Sequence, residues 1–134
     1  VKRRDLLVAT GCAFSGAVAG CQSTTASDAE ITAIELENHR TEAAHEFSVR
    51  IDRDEETVYE TTRRLRASGS DNSTAVLDRP VEGAGDYEVF VSAGAFTESV
   101  HTRKLLYGEQ TCLHLEFYLG DGTLHWERTN HNEC

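Results

Sequence analysis

Residues 110–119, QTCLHLEFYL, place Leu113, Leu115, Phe117 and Leu119 at every second position, so all four fall on one face. A period of two belongs to a strand with one face in a core and the other in water. The same period recurs with Ile34 and Leu36 in EITAIELEN (30–38), with Phe47, Val49 and Ile51 in HEFSVRID (45–52), and with Tyr87, Val89 and Val91 in GDYEVFVSA (85–93). Four less regular strands complete the pattern. ETVYETTRRLRA (56–67), rich in Thr and Arg, is expected near an edge, and STAVLDRP (73–80) is closed by Pro80, which cannot donate to a ladder. AFTESVHTRKLL (95–106) is the sixth strand, and GTLHWERT (122–129) follows the hairpin dipeptide Asp121-Gly122. No segment after residue 30 carries a helical stripe. Eight short strands with a turn every 8–12 residues predict an all-β domain, an antiparallel sandwich of 7–8 strands.

The first thirty residues obey different rules. Lys2, Arg3 and Arg4 precede a weakly apolar run from Leu6 to Ala19. Those 14 residues are too few for a spanning helix but match the h-region of a signal peptide. Arg3-Arg4 followed by Asp5-Leu6-Leu7 resembles a twin-arginine export signal, and Val18-Ala19-Gly20-Cys21 resembles the lipobox of prokaryotic lipoproteins. Val18 stands where Leu is commoner. The resemblance implies cleavage before Cys21 and lipidation of its thiol; the alternatives are a signal that is simply cleaved and a short N-terminal helix packed on the domain with Cys12 and Cys21 in the core. The polar run QSTTASDA (22–29) has linker composition. The expected organisation is a signal-peptide helix over 1–20, a lipidated cysteine and flexible tether over 21–29, and the β-sandwich over 30–134.

Charge narrows the partners. The chain carries a net charge of −10, and removal of residues 1–20 leaves −12. Nucleic acid and anionic headgroups both need a basic surface, so neither is an expected partner. Lys104 is the only lysine after residue 20, against nine arginines. Many carboxylates with almost no lysine resemble the proteins of salt-loving microbes, where salt screens self-repulsion.

EGAGDYEVFV (82–91) sets Tyr87 after a glycine-containing corner and before alternating β-branched residues. It resembles the tyrosine corner of immunoglobulin-like domains, in which the hydroxyl bonds back to nearby backbone. It also resembles the Gly-x-Tyr-x-Val strand of transthyretin-like modules. The whole chain resembles small secreted lipoproteins of halophilic archaea with an Ig-like β-domain. That resemblance implies an exported, membrane-anchored protein facing outside, and no particular activity.

With Cys12 in the discarded segment and Cys21 as the anchor, Cys112 and Cys134 are the two cysteines of the domain. Export exposes them to oxidising conditions, so a bridge between them is expected, with two free thiols as the alternative. Asn72-Ser73-Thr74 is an N-glycosylation sequon in a predicted loop, so Asn72 is either an acceptor or a plain turn asparagine.

The chemistry-bearing residues point to no reaction, and no enzyme activity or cofactor is expected. Six histidines lack any compact ligand spacing. His114 and His125 lie on the two arms of the last hairpin and are weak metal candidates, with solvated strand-face histidines as the alternative. A blue-copper site usually has an axial Met, and the chain has none. Asp52, Asp54, Glu55 and Glu56 form an acidic turn without the ligand order of an EF-hand loop. The expected function is a non-enzymatic binding or structural role at the cell surface, in contact with envelope proteins or glycans. The alternative is an extracytoplasmic small-ligand or metal-binding module.

Overall fold

Leu113, Leu115, Phe117 and Leu119 are all buried, while His114, Glu116 and Tyr118 between them are half-buried on the opposite face. The computed structural model, which describes residues 28–106, 110–131 and 134, repeats this division on most of its strands. These are β1 (Glu30–Asn38), β2 (His45–Arg53), β3 (Glu56–Leu65), β4 (Thr74–Asp78), β5 (Tyr87–Ala93), β6 (Phe96–His101), β7 (Cys112–Leu119) and β8 (Leu124–His131). They form two four-stranded sheets, ordered β4-β1-β7-β8 and β3-β2-β5-β6. Ile34, Leu36, Leu115 and Phe117 of the first sheet share one core with Phe47, Val49, Ile51, Val89 and Val91 of the second. The expected all-β sandwich is therefore the fold. The proposed signal-peptide helix, with Arg3, Arg4, Val18, Ala19, Gly20 and Cys21, lies outside the described residues.

Three expectations need correction. The sandwich is not wholly antiparallel, because β1 and β7 pair in parallel from Glu30↔Cys112 to Asn38↔Leu119. No hairpin joins these two strands, so no tight turn imposes opposite directions on them. The sixth strand ends at His101, and residues 102–105 curl into a 3-10 turn that buries Thr102 and Leu105. The Thr102 hydroxyl accepts from the Tyr87 amide at 3.0 Å and donates to the Tyr87 carbonyl at 3.2 Å, replacing the ladder that would have extended the strand. Finally, Ala29 belongs to the body rather than to the tether. It is fully buried, and it exchanges backbone hydrogen bonds of 3.0 and 2.9 Å with Gly85. Asp28 beside it accepts from Arg103 at 2.9 Å. That bond, reinforced by the charge of Asp86, raises the Arg103 pKa.

Two polar anchors hold the connections between sheets. Asn38, at the end of β1, is 1% exposed. Its amide group donates to the carbonyls of Ala43 at 2.9 Å and Arg66 at 3.0 Å, and its oxygen accepts from the Arg40 amide at 3.0 Å. The first crossing between sheets and the exit from β3 are thus tied to one side chain. Nearby, the Arg40 guanidinium donates to Glu42 at 2.7 Å and holds that carboxyl below its usual pKa.

Tyr87 is the second anchor. Its hydroxyl donates to the Gly83 carbonyl at 2.9 Å, with the Glu82 carbonyl at 3.2 Å, which is the bond a tyrosine corner makes. Gly83 turns at φ +75°, and a Cβ on Gly85 would sit 3.0 Å from the tyrosine ring. The glycines of EGAGDY are therefore needed for a turn and for close packing. Tyr87→Phe keeps the ring and strands the two carbonyls, so we expect a loss of about 1–2 kcal/mol. A urea-unfolding midpoint that falls with an unchanged slope would show it.

Candidate functional site

The parallel register of β1 and β7 decides what gathers on the outer face of the first sheet. It sets Ala33 beside His114, Glu35 beside Glu116 and Glu37 beside Tyr118. β8 adds Thr129 opposite His114, Glu127 opposite Glu116 and His125 opposite Tyr118. A carboxylate row, Glu35–Glu116–Glu127, therefore crosses three strands.

Glu35, Glu37 and Glu116 form the tightest group, with one carboxylate oxygen from each lying within 4.8 Å of the others. His114 Nε2 is 3.3 Å from Glu35 Oε2, and His39 Nε2 contacts Glu37 Oε2. Beside the carboxylates the Tyr118 ring stacks between two imidazoles, His39 at 5.0 Å and His125 at 5.1 Å. Three oxygen donors suit a hard cation, but Ca²⁺ takes six to eight. With one oxygen from each residue, the cluster supplies at most half of such a shell.

The two weak metal candidates are not brought together. His114 faces Thr129, whereas His125 faces Tyr118, four positions further along the hairpin. At about 3.3 Å per residue this separates them by about 13 Å, too far for a shared ligand. Both point away from the core, as the alternation predicts, and each has its own neighbour. The carboxylate group was not visible in the sequence. Glu35 and Glu116 are 81 residues apart, and only the pairing of β1 with β7 joins them.

The acidic turn has more company than its sequence implies. Asp54 and Glu55 both take positive φ, 50° and 64°, the backbone of a two-residue type I′ hairpin. With Asp52 they line a hollow of about 330 Å³ whose other walls are Asp86, Tyr87, Glu88 and His101. His101 Nε2 approaches Glu88 at 3.3 Å. Glu56 is not part of this wall. A second hollow, about 230 Å³, lies on the outer face of the β3-β2-β5-β6 sheet among Ser48, Arg50, Glu60, Phe90, Ser92 and Thr97. The Arg50 guanidinium covers the Phe90 ring at 4.1 Å, so that aromatic face is already occupied.

Cys112 and Cys134 are joined in a disulfide, with Cα atoms 5.4 Å apart. Arg79 steadies the same corner, donating to the Cys134 carbonyl at 2.8 Å and to Glu30 at 2.7 Å. Asn72 sits exposed at φ 66° between β3 and β4, and its carbonyl accepts from the Arg66 amide at 2.9 Å. That position serves a turn asparagine and leaves the side chain accessible to a glycan. No family model matches the chain, and comparisons with curated proteins and with solved structures return no match either.

Proposed function

We propose that this chain is an exported β-sandwich, anchored to the cell membrane through a lipid on Cys21, with a binding or structural role in the envelope rather than a catalytic one. The observation that carries the reading is the Cys112–Cys134 bridge, because such bridges form and persist in oxidising compartments outside the cytosol. It agrees with the twin-arginine and lipobox resemblances at the other end of the chain. Asp28 and Ala29 already belong to the body, so the proposed tether ends before them. Two acyl or ether chains on one cysteine give stable anchoring, at roughly 0.8 kcal/mol per buried CH₂.

Of the two finer topologies, we favour the transthyretin-like one over the Ig-like one. Immunoglobulin constant domains keep their first two strands side by side in one sheet. Here β1 and β2 belong to different sheets. The rival function, a small-ligand or metal-binding module, has thinner support, since Glu35, Glu37 and Glu116 make at most half a coordination shell and His114 stays apart from His125.

Mass spectrometry of the protein isolated from native membranes tests the anchor. The expected mature N-terminus is Cys21, heavier by a lipid group and released from membranes only by detergent. Recovery of the chain with residues 1–20 intact would overturn the reading.

A further inference from the structure

Each sheet of the sandwich has two edges, and the four edge strands β3, β4, β6 and β8 are not alike. Open edges invite pairing with another chain, and proteins blunt them by shortness, proline, bulges or charge. β4 has five residues and runs into Pro80. β6 has six residues and curls away at Thr102. β8 carries Glu127 and Arg128 at adjacent positions, so they occupy opposite faces and no two-fold pairing of β8 with itself sets one against the other. β3 is the longest of the four, with ten residues, of which Leu65 alone is buried.

β3 also segregates its charge. Glu56 and Glu60 lie in its first half, and Arg63 and Arg64 lie near its end with Arg66 just beyond. In a chain of net charge −10 these arginines are a local exception. The bulge opposite Ile51 and Asp52 falls at Val58, so residues 59–65 run on as regular strand. Within that stretch Glu60 and Arg64 share the outer face, facing Arg50 and Glu46 of β2 in register. Neither Glu60 nor Arg64 makes an ion pair among the described residues.

We propose that β3 pairs antiparallel with β3 of a second copy of this chain, about a two-fold axis through Thr62. That register sets Glu60 of each copy opposite Arg64 of the other, Thr61 opposite Arg63, and Tyr59 opposite Leu65. Opposite charges on directly facing positions stabilise a strand pair, and like charges oppose it. Centring the axis on Glu60 or on Arg63 instead sets like charges face to face, and centring it on Thr61 leaves Glu60 and Arg64 without each other. The charge pattern thus selects one register and one partner, since the interface is self-complementary. The result is a continuous eight-stranded sheet, β6-β5-β2-β3 running into β3-β2-β5-β6 of the second copy. This pairing does not depend on export or on Cys21, so its failure leaves the anchored reading standing, and the reverse holds too.

Sedimentation of the full chain over a concentration series, at one fixed ionic strength, tests the proposal. Wild type is expected to show a reversible monomer–dimer equilibrium. Glu60→Arg alone and Arg64→Glu alone should each weaken dimerisation at least tenfold, because each sets two like-charged pairs across the axis. An equimolar mixture of the two variants should recover the dimer. In the mixed pair the two substituted positions face each other with opposite charges, and the native Arg64 of the first variant still meets the native Glu60 of the second. The double variant Glu60→Arg/Arg64→Glu should also recover the dimer relative to the single variants, though less tightly than wild type, because its new charges face Arg50 and Glu46 of the same sheet. A wild type that stays monomeric, single variants that dimerise unchanged, or a mixture and double variant that both stay monomeric would each overturn the proposal.

Discussion

Phe117→Ala is expected to cost about 3–5 kcal/mol, the range for emptying a buried aromatic site. Phe117 is fully buried in the second half of β7, an inner strand, where it is flanked by Leu36 of β1 and Trp126 of β8. Strands on both sides hold the backbone in place, so the sheet closes poorly over the vacated volume. A domain of this size is stable by only about 5–15 kcal/mol, so the loss is a large share of the whole. The adjacent residue is the control. Tyr118 points outward between His39 and His125, and Tyr118→Ala should cost well under half as much. Urea unfolding of both variants measures the contrast directly. Comparable losses at 117 and 118 would mean that the burial of alternate residues on β7 is wrong.

Loss of the Cys112–Cys134 bridge is the second large effect. The cysteines are 22 residues apart, and cross-linking a ring of that length stabilises by about 3 kcal/mol, chiefly through the unfolded chain. Cys134→Ala is the cleaner variant, because Cys134 is exposed while Cys112 is fully buried. Its unfolding midpoint should fall to that of reduced wild type, and reductant should not lower it further. Two other restraints limit the damage. β8 stays laddered to β7 over eight residue pairs, and Arg79 still reaches the Cys134 position through the backbone carbonyl. We therefore expect the variant to remain folded at room temperature. A midpoint that does not move on reduction would show that these contacts suffice without the ring.

Much of the fold was legible in the chain. Leu113 to Leu119, Phe47 to Ile51 and Tyr87 to Val91 announced their strands and their inward faces, because one buried face imposes a period of two. The bridge followed from cysteine number and the export that the first thirty residues lead one to expect, and the tyrosine corner from a glycine-rich turn placed before Tyr87. The ends of elements were less legible. Thr102 reads as a strand residue, and its inward hydroxyl ends β6 only because the Tyr87 backbone is there to receive it. Asn38 reads as the polar end of a strand, yet it is buried among carbonyls that converge from two separate segments, at Ala43 and at Leu65-Arg66.

Alternation by itself determined which side chains turn inward, and therefore that the chain folds as strands around one core. It could not determine which strand lies beside which. Sliding a strand by two residues, or exchanging its neighbour, leaves the same apolar face buried. That choice was made by the packing of the whole, which set β1 parallel to β7 and left β3 at an edge. The carboxylate group at Glu35, Glu37 and Glu116, the separation of His114 from His125, and the open edge on which Glu60 and Arg64 lie all follow from it. Each depends on contacts between residues that are distant in sequence or on the side of a strand that no neighbour covers, and only the assembled sheets specify either.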